Sequence, residues 1–97
     1  MKSQQYYVYI LTNVRLTVFY TGITRNLTKR IWEHKNKFIK GFTAKYNLDQ
    51  LVYFEIFSSP YEAIEREKQI KDFRREKKIK LVRSKNKKFC DLYQKIL

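Results

Sequence analysis

Five side chains in this 97-residue sequence have types and spacings suited to chemistry on a phosphate group: Tyr9, Tyr20, Arg30, His34 and Glu67. Arg30 and His34 stand four residues apart, so on a helix they lie on neighbouring turns of one face. A guanidinium grips phosphate oxygens through its planar fork of donors, and an imidazole relays protons near neutral pH. His34 falls in the middle of an apolar stripe of Leu27, Ile31 and Phe38, with Arg30 at its edge, so both should point toward the tyrosines. His34 is then either a site residue or a satisfied core histidine, and Arg30 either a phosphate ligand or a solvated edge residue. Glu67 interrupts a second apolar side, that of Ala63, Ile64 and Ile70, whereas Glu65 lies about 160° around the same helix, toward solvent. An inward carboxylate needs a cation or hydrogen-bonding partner. That partner is a magnesium ion, often held by one carboxylate with waters and a substrate phosphate, or else Arg30 or a nearby lysine.

The elements that must position these groups can be read in order. Strands are predicted over 6–11 and 17–23, joined by a loop over 12–16. Alternation turns Tyr7, Tyr9 and Leu11 one way and Val8 and Ile10 the other. Val18, Tyr20 and Gly22 share a face of the second strand, so Tyr9 and Tyr20 can meet there, and Gly22 is expected to leave that face open. Asn26 is an N-cap for a helix running to about Lys37. Phe38 to Asp49 reads as an irregular, basic connection. Gln50 to Phe57, with valine and aromatics, reads as a third strand. Ser59-Pro60-Tyr61-Glu62 combines an N-cap, a first-turn proline and a capping-box glutamate, opening a helix to about Phe73. The basic segment beyond it is predicted helical, with Ile79, Leu81 and Val82 as its apolar contacts, and Asp91 to Leu97 forms a short last turn. The fold class is α+β, a three-stranded antiparallel sheet flanked by helices.

Composition bounds the rest. A chain of this length makes one compact domain over residues 1–97, burying about 65% of its unfolded surface. Twenty-two Lys and Arg against nine Asp and Glu give a formal net charge of +13. That balance calls for a polyanion, nucleic acid ahead of a membrane, because no stretch joins a large apolar face to the charge. From Arg74 to Lys88 nine residues are basic and one, Glu76, is acidic. Arg74, Arg75, Lys77, Lys78 and Lys80 are therefore candidate nucleic-acid contacts, unless the segment is only a solvated helix face. Cys90 is the single cysteine, which excludes an internal disulfide, and it reads as a small buried hydrophobe. Neither a secretory signal nor a membrane span is visible, so a cytoplasmic location is expected.

Tyr7-Val8-Tyr9 and Tyr20-Thr21-Gly22, followed in order by Arg30, His34 and Glu65-Arg66-Glu67, resemble the signatures of the GIY-YIG nucleases. The likeness runs from about Tyr6 to Leu92 and is to the small stand-alone bacterial members. It extends to the N-terminal nuclease domain of the excinuclease C subunit. Two departures are visible: Tyr7 replaces the first signature's glycine and Thr21 the second's isoleucine. The resemblance implies a Mg²⁺- or Mn²⁺-dependent endonuclease hydrolysing phosphodiester bonds, in repair, recombination or nucleic-acid processing. It assigns Tyr9 to take a proton from water with His34 as relay, and Tyr20 to orient phosphate or water. Arg30 becomes the essential arginine and Glu67, not Glu65, the metal ligand. Gly22 and Asn86 are supporting residues, although Lys87 stands where a proline commonly follows that asparagine, and a loop asparagine is often just a turn residue. Gly41 to Tyr46 also resembles a segment of the small members, making Lys45 and Tyr46 candidate substrate contacts. Cutting guided by nucleic-acid structure or of weak specificity is expected, with DNA ahead of RNA as partner and the oligomeric state left open. The alternative is a weak or inactive DNA- or RNA-binding module within a larger complex.

Overall fold

The computed structural model describes residues 4–97. The chain runs β1 (Tyr6–Thr12), β2 (Phe19–Thr24), α1 (Leu27–Lys35), α2 (Phe42–Lys45), β3 (Gln50–Phe57), α3 (Pro60–Lys71), α4 (Arg75–Lys85) and α5 (Tyr93–Ile96). The three strands form one antiparallel sheet in the order β2-β1-β3. This is the expected α+β arrangement. The connection over 38–49 is not wholly irregular, because Phe42–Lys45 closes a helical turn within it.

The alternation in β1 sorts the core into two layers. Val8 and Ile10 pack with Val52, Ala63, Ile70 and Val82 under α3 and α4. On the other face Tyr9 and Leu11 pack with Leu27, Ile31, Leu48 and Leu51 under α1. Caps set where the helices begin. Asn26 accepts a hydrogen bond from the Lys29 amide at 3.1 Å, and the Ser59 side chain accepts from the Glu62 amide. Helix α1 ends earlier than its apolar pattern suggests. Lys37 takes a positive φ of 56°, and the Phe38 amide bonds back to the Glu33 carbonyl, a Schellman closure. Phe38 is thereby thrown out of the apolar stripe and is 67% exposed. Ile64, expected on the buried side of α3, is likewise exposed, so the buried residues of α3 are Ala63 and Ile70, and Arg66 ties the helix to Glu55 of β3.

The outer edge of β3 is covered at its start, around Leu51, by residues near the chain's C-terminal end. The Leu92 amide donates to the Leu51 carbonyl at 2.7 Å, and the Asp91 carboxylate accepts from the Leu51 amide at 3.1 Å. Asp91 also holds Lys35 of α1 at 2.5 Å, and Thr28 of α1 donates to the Ile96 carbonyl. Both backbone groups of Leu51 are thereby satisfied, which blunts this end of the edge strand. Cys90, in this stretch, is exposed and not the buried hydrophobe that composition suggests. None of the described helices is long and apolar enough to cross a membrane.

Thr21 faces the α3 layer, almost fully buried, and its hydroxyl has no hydrogen-bond partner. A buried hydroxyl without a partner costs stability that an apolar group of the same shape does not. Thr21→Val is expected to stabilise the fold by about 1 kcal/mol, seen as a rise of several degrees in Tm. An unchanged or lower Tm in a thermal melt would contradict this.

Candidate active site

Tyr9 leaves β1 on the α1 side and crosses the neighbouring edge strand at its narrowest point. The register pairs Tyr9 with Gly22 and Leu11 with Tyr20, so the two tyrosines meet diagonally, ring centroids 6.3 Å apart. A Cβ at Gly22 would lie 2.5 Å from both the Tyr9 hydroxyl and its ring carbon, and 3.0 Å from the Tyr20 ring. Gly22 therefore does not leave an open face. It is the groove in which the Tyr9 phenol lies, and any side chain would expel it.

At the end of that groove the Tyr9 hydroxyl meets His34 Nε2 at 3.2 Å, and His34 Nδ1 meets the Thr43 hydroxyl at 3.1 Å. The His34 ring also packs against both tyrosines, at 5.9 and 6.0 Å. His34 is thus both a core histidine with satisfied nitrogens and a neighbour of the two tyrosines. Burial, reinforced by Arg30, pushes its pKa below the ordinary histidine value, with Glu33 opposing. A neutral ring donates from one nitrogen and accepts at the other, which suits a Tyr9–His34–Thr43 chain. Tyr9 is pushed well above the usual tyrosine range, first by burial and then by the charge of Tyr20; the Arg30 guanidinium pulls it down, and Glu67 adds a small upward push.

Arg30 is half-exposed on the rim and pairs with Glu33 at 3.4 Å. Beside it a groove of about 380 Å³ is lined by Thr24, Arg25, Asn26, Lys29, Arg30 and Glu33, three cations against one acid. A larger cavity of about 720 Å³ lies on the outer side of α3, where Glu62, Glu65 and Asp72 outnumber the cations Arg66 and Lys68, and Arg66 is already paired with Glu55, so it suits phosphate less well. Glu65 is exposed and belongs to that outer side. Glu67 has a side chain only 16% exposed, as its helical phase requires, and Lys71 lies 3.4 Å from it. Its expected cationic partner is therefore a lysine one turn along, not Arg30.

The structure thus brings together Tyr9, Tyr20, Gly22, Arg30 and His34, with Glu67 close enough for its charge to reach the phenol. Asn86 is not among them. It caps α4, buried, where its amide donates to the Val52 and Cys90 carbonyls and its oxygen accepts from the Cys90 amide. Arg75 is also committed elsewhere, donating to the Leu16 and Thr17 carbonyls and lying over the Phe19 ring. It clamps α4 to the β1–β2 loop. Lys78 is half-buried, and burial followed by the nearby Lys71 lowers its pKa. Arg74, Lys77 and Lys80 are exposed, on the layer of the sheet opposite α1, with Lys77 above the Phe73 ring. Lys45 is exposed over Tyr46. Sequence reasoning missed Thr43 and Glu33. Thr43 carries no periodic signal, and only its place in the Gly41–Tyr46 segment hinted at it.

Comparison with known proteins shows the family and the fold. The family model described as the GIY-YIG catalytic domain matches residues 5–88. The chain belongs to the GIY-YIG family. Its GIY-YIG relatives include a UPF0213 protein of Staphylococcus saprophyticus, 38% identical over 78 residues that cover 80% of this chain and 94% of the relative. Another, from Clostridium perfringens, is 44% identical over 84 residues, covering 82% and 85%. The solution NMR structure of a UPF0213 protein from Bacillus halodurans superposes with a TM-score of 0.57 at 32% identity, covering 88% of this chain and 89% of that one. A GIY-YIG domain carries a nuclease and nucleic-acid theme.

Two expectations test this geometry. Gly22→Ala should displace the Tyr9 ring and break its bond to His34, lowering any activity of the site while the sheet persists. Full activity with an unshifted Tyr9 ring would refute the groove. The second concerns pH. His34 is the chain's only histidine, so its titration can be isolated. With its folded pKa depressed, the unfolded state binds the proton first, and stability present above pH ~6.5 is lost as pH falls toward the native value. Tm should fall over that window in the wild type and stay flatter in His34→Gln; parallel profiles would disprove the depression.

Proposed function

We propose that this protein is a divalent-metal-dependent endonuclease that hydrolyses phosphodiester bonds in nucleic acid, guided by substrate structure or only weakly specific. The observation that carries this reading is the convergence of β1, β2, α1 and α3 side chains on one buried phenol. In this reading Tyr9 is the proton acceptor for the attacking water and His34 accepts in turn. As the water's oxygen attacks phosphorus, its proton passes to the Tyr9 oxygen while Tyr9's own proton passes to His34 Nε2, with Nδ1–H held by Thr43. The bond from phosphorus to the departing sugar oxygen breaks, and that oxygen takes a proton from solvent. Burial favours the starting state, because it keeps Tyr9 protonated and His34 neutral. Concerted transfer then requires no free phenolate. Arg30 clamps the phosphate by its fork and Tyr20 orients phosphate or water.

Glu67 fits a single-carboxylate Mg²⁺ or Mn²⁺ site. It is half-buried, its ion-pair partner Lys71 is itself half-exposed, and no cluster of three ligand side chains exists among the described residues. Water and substrate phosphate would complete such a shell. The bound ion would supply charge neutralisation at the departing oxygen. Exposed Arg74, Lys77, Lys80 and Lys45 supply general attraction to the strand, and repair, recombination or nucleic-acid processing is the setting we favour, with DNA ahead of RNA. The burial of Tyr9, which opposes its ionisation, favours one second reading: a DNA- or RNA-binding module that cuts poorly.

The decisive assay presents single-stranded, duplex, flapped and branched DNA and RNA to the protein with Mg²⁺ or Mn²⁺. Glu67→Gln is expected to abolish cleavage with binding retained, Glu65→Gln to be mild, and Tyr9→Phe to lower turnover by about 10² or more. Binding without cleavage of any substrate would establish the second reading. Equal loss in both glutamate variants would remove Glu67 from the metal site.

A further inference from the structure

Between Glu33 and Asp49 the chain carries four lysines and no acid, and aromatic residues are interleaved with them. Trp32 and Phe38 stack at 5.1 Å with ring planes 21° apart, and Phe42 and Tyr46 pair at 4.9 Å. All four rings face outward: Trp32 is 46% exposed, Phe38 67%, Phe42 50% and Tyr46 42%. Phe38 and Phe42 are four residues apart, so at most about 14 Å of chain joins the two pairs. The helix-end closure explains why Phe38 touches Trp32, since such closures bring an apolar contact with them. It does not explain why both rings stay in water, nor why α2, seated by Thr43 and Leu48, presents Phe42 and Tyr46 outward. Lys40 is exposed on the segment joining the pairs, exposed Lys37 donates to the Asn47 side chain at 2.6 Å, and Lys45 lies 5.4 Å from the Tyr46 ring centre.

Exposed rings beside lysines match one kind of ligand well. Unpaired bases stack on aromatic faces whatever their identity, while the backbone they hang from is drawn by ammonium groups. A duplex hides its base faces and offers only phosphates. A second copy of this chain across a two-fold axis would set these lysines against each other. Position adds the last element, because Phe42 precedes Thr43, whose hydroxyl bonds to His34. We propose that the rings of Trp32, Phe38, Phe42 and Tyr46 form a stacking platform for unpaired bases of single-stranded nucleic acid. The strand's backbone runs from there past His34 and Tyr9. That last step rests on the nuclease reading, whereas the stacking does not.

Trp32 is the only tryptophan, so it reports on the platform directly. Its fluorescence, excited at the red edge of tryptophan absorption, is followed in wild-type protein without divalent ions. The titrants are oligothymidylate, oligouridylate, a blunt self-complementary DNA duplex, inorganic polyphosphate and phosphatidylglycerol vesicles. Saturable quenching by the single strands alone is expected. Phe42→Leu and Tyr46→Leu should each weaken single-strand affinity about tenfold while leaving polyphosphate affinity, read by titration calorimetry, unchanged. Both positions are exposed, and circular dichroism checks their folding; if either fails to fold, the wild-type quenching decides. Equal quenching by polyphosphate or duplex, a response to vesicles alone, or none at all would overturn the platform. Quenching without cleavage under Mg²⁺ or Mn²⁺ would sink only the nuclease reading, and cleavage without quenching only the platform.

Discussion

The contact on which the rest depends is the Tyr9 phenol lying across Gly22 to reach His34. It forces glycine at one position of an edge strand, because a single methyl group would occupy the volume of the phenol itself. It forces a histidine into the buried stripe of α1, where an apolar residue would pack as well but accept nothing. It also requires α1 to be docked closely enough for a 3.2 Å contact, and the helix-end closure at Lys37 and the Asp91–Lys35 pair do that. A strand, an edge and a helix are thus constrained by one side chain.

Burial and charge act against each other around that contact. Burial holds Tyr9 protonated and His34 neutral, while Arg30 at the rim favours the phenolate and disfavours the imidazolium. The strong positive charge of the chain is not one uniform binding surface. Arg75 is consumed in clamping α4 to the β1–β2 loop and Lys78 is half-withdrawn from solvent, so a basic segment that looks uniform in sequence divides into structural and free cations.

Strand alternation and helix caps made the fold legible in the sequence, and helical phase alone separated half-buried Glu67 from exposed Glu65. The failures share a cause, which is that periodicity continues on paper where hydrogen bonds stop it in space. Phe38 continues the stripe of Leu27 and Ile31, but the Lys37 backbone has already turned the chain away. Ile64 has the right angle for the core, yet α3 leans on Ala63 and Ile70. Thr43 reaches His34 through a four-residue helical turn too short to give a periodic signal. Asn86 was legible as a special asparagine but not as a bracket for β3 and Cys90, since its partners come from another part of the chain.

The fastening of α1 by the chain's last residues has a kinetic consequence. The β1–β2 hairpin closes first between Thr12 and Phe19, seven residues apart, whereas Lys35 and Asp91 lie 56 apart. On chain entropy alone the longer closure costs roughly 1.8 kcal/mol more. The hairpin with its groove at Gly22 can thus form while α1, bearing Arg30 and His34, is still loosely held. On loop entropy alone the Tyr9 phenol is presented early, and its hydrogen-bond partner His34 is fixed in place when Asp91 fastens Lys35.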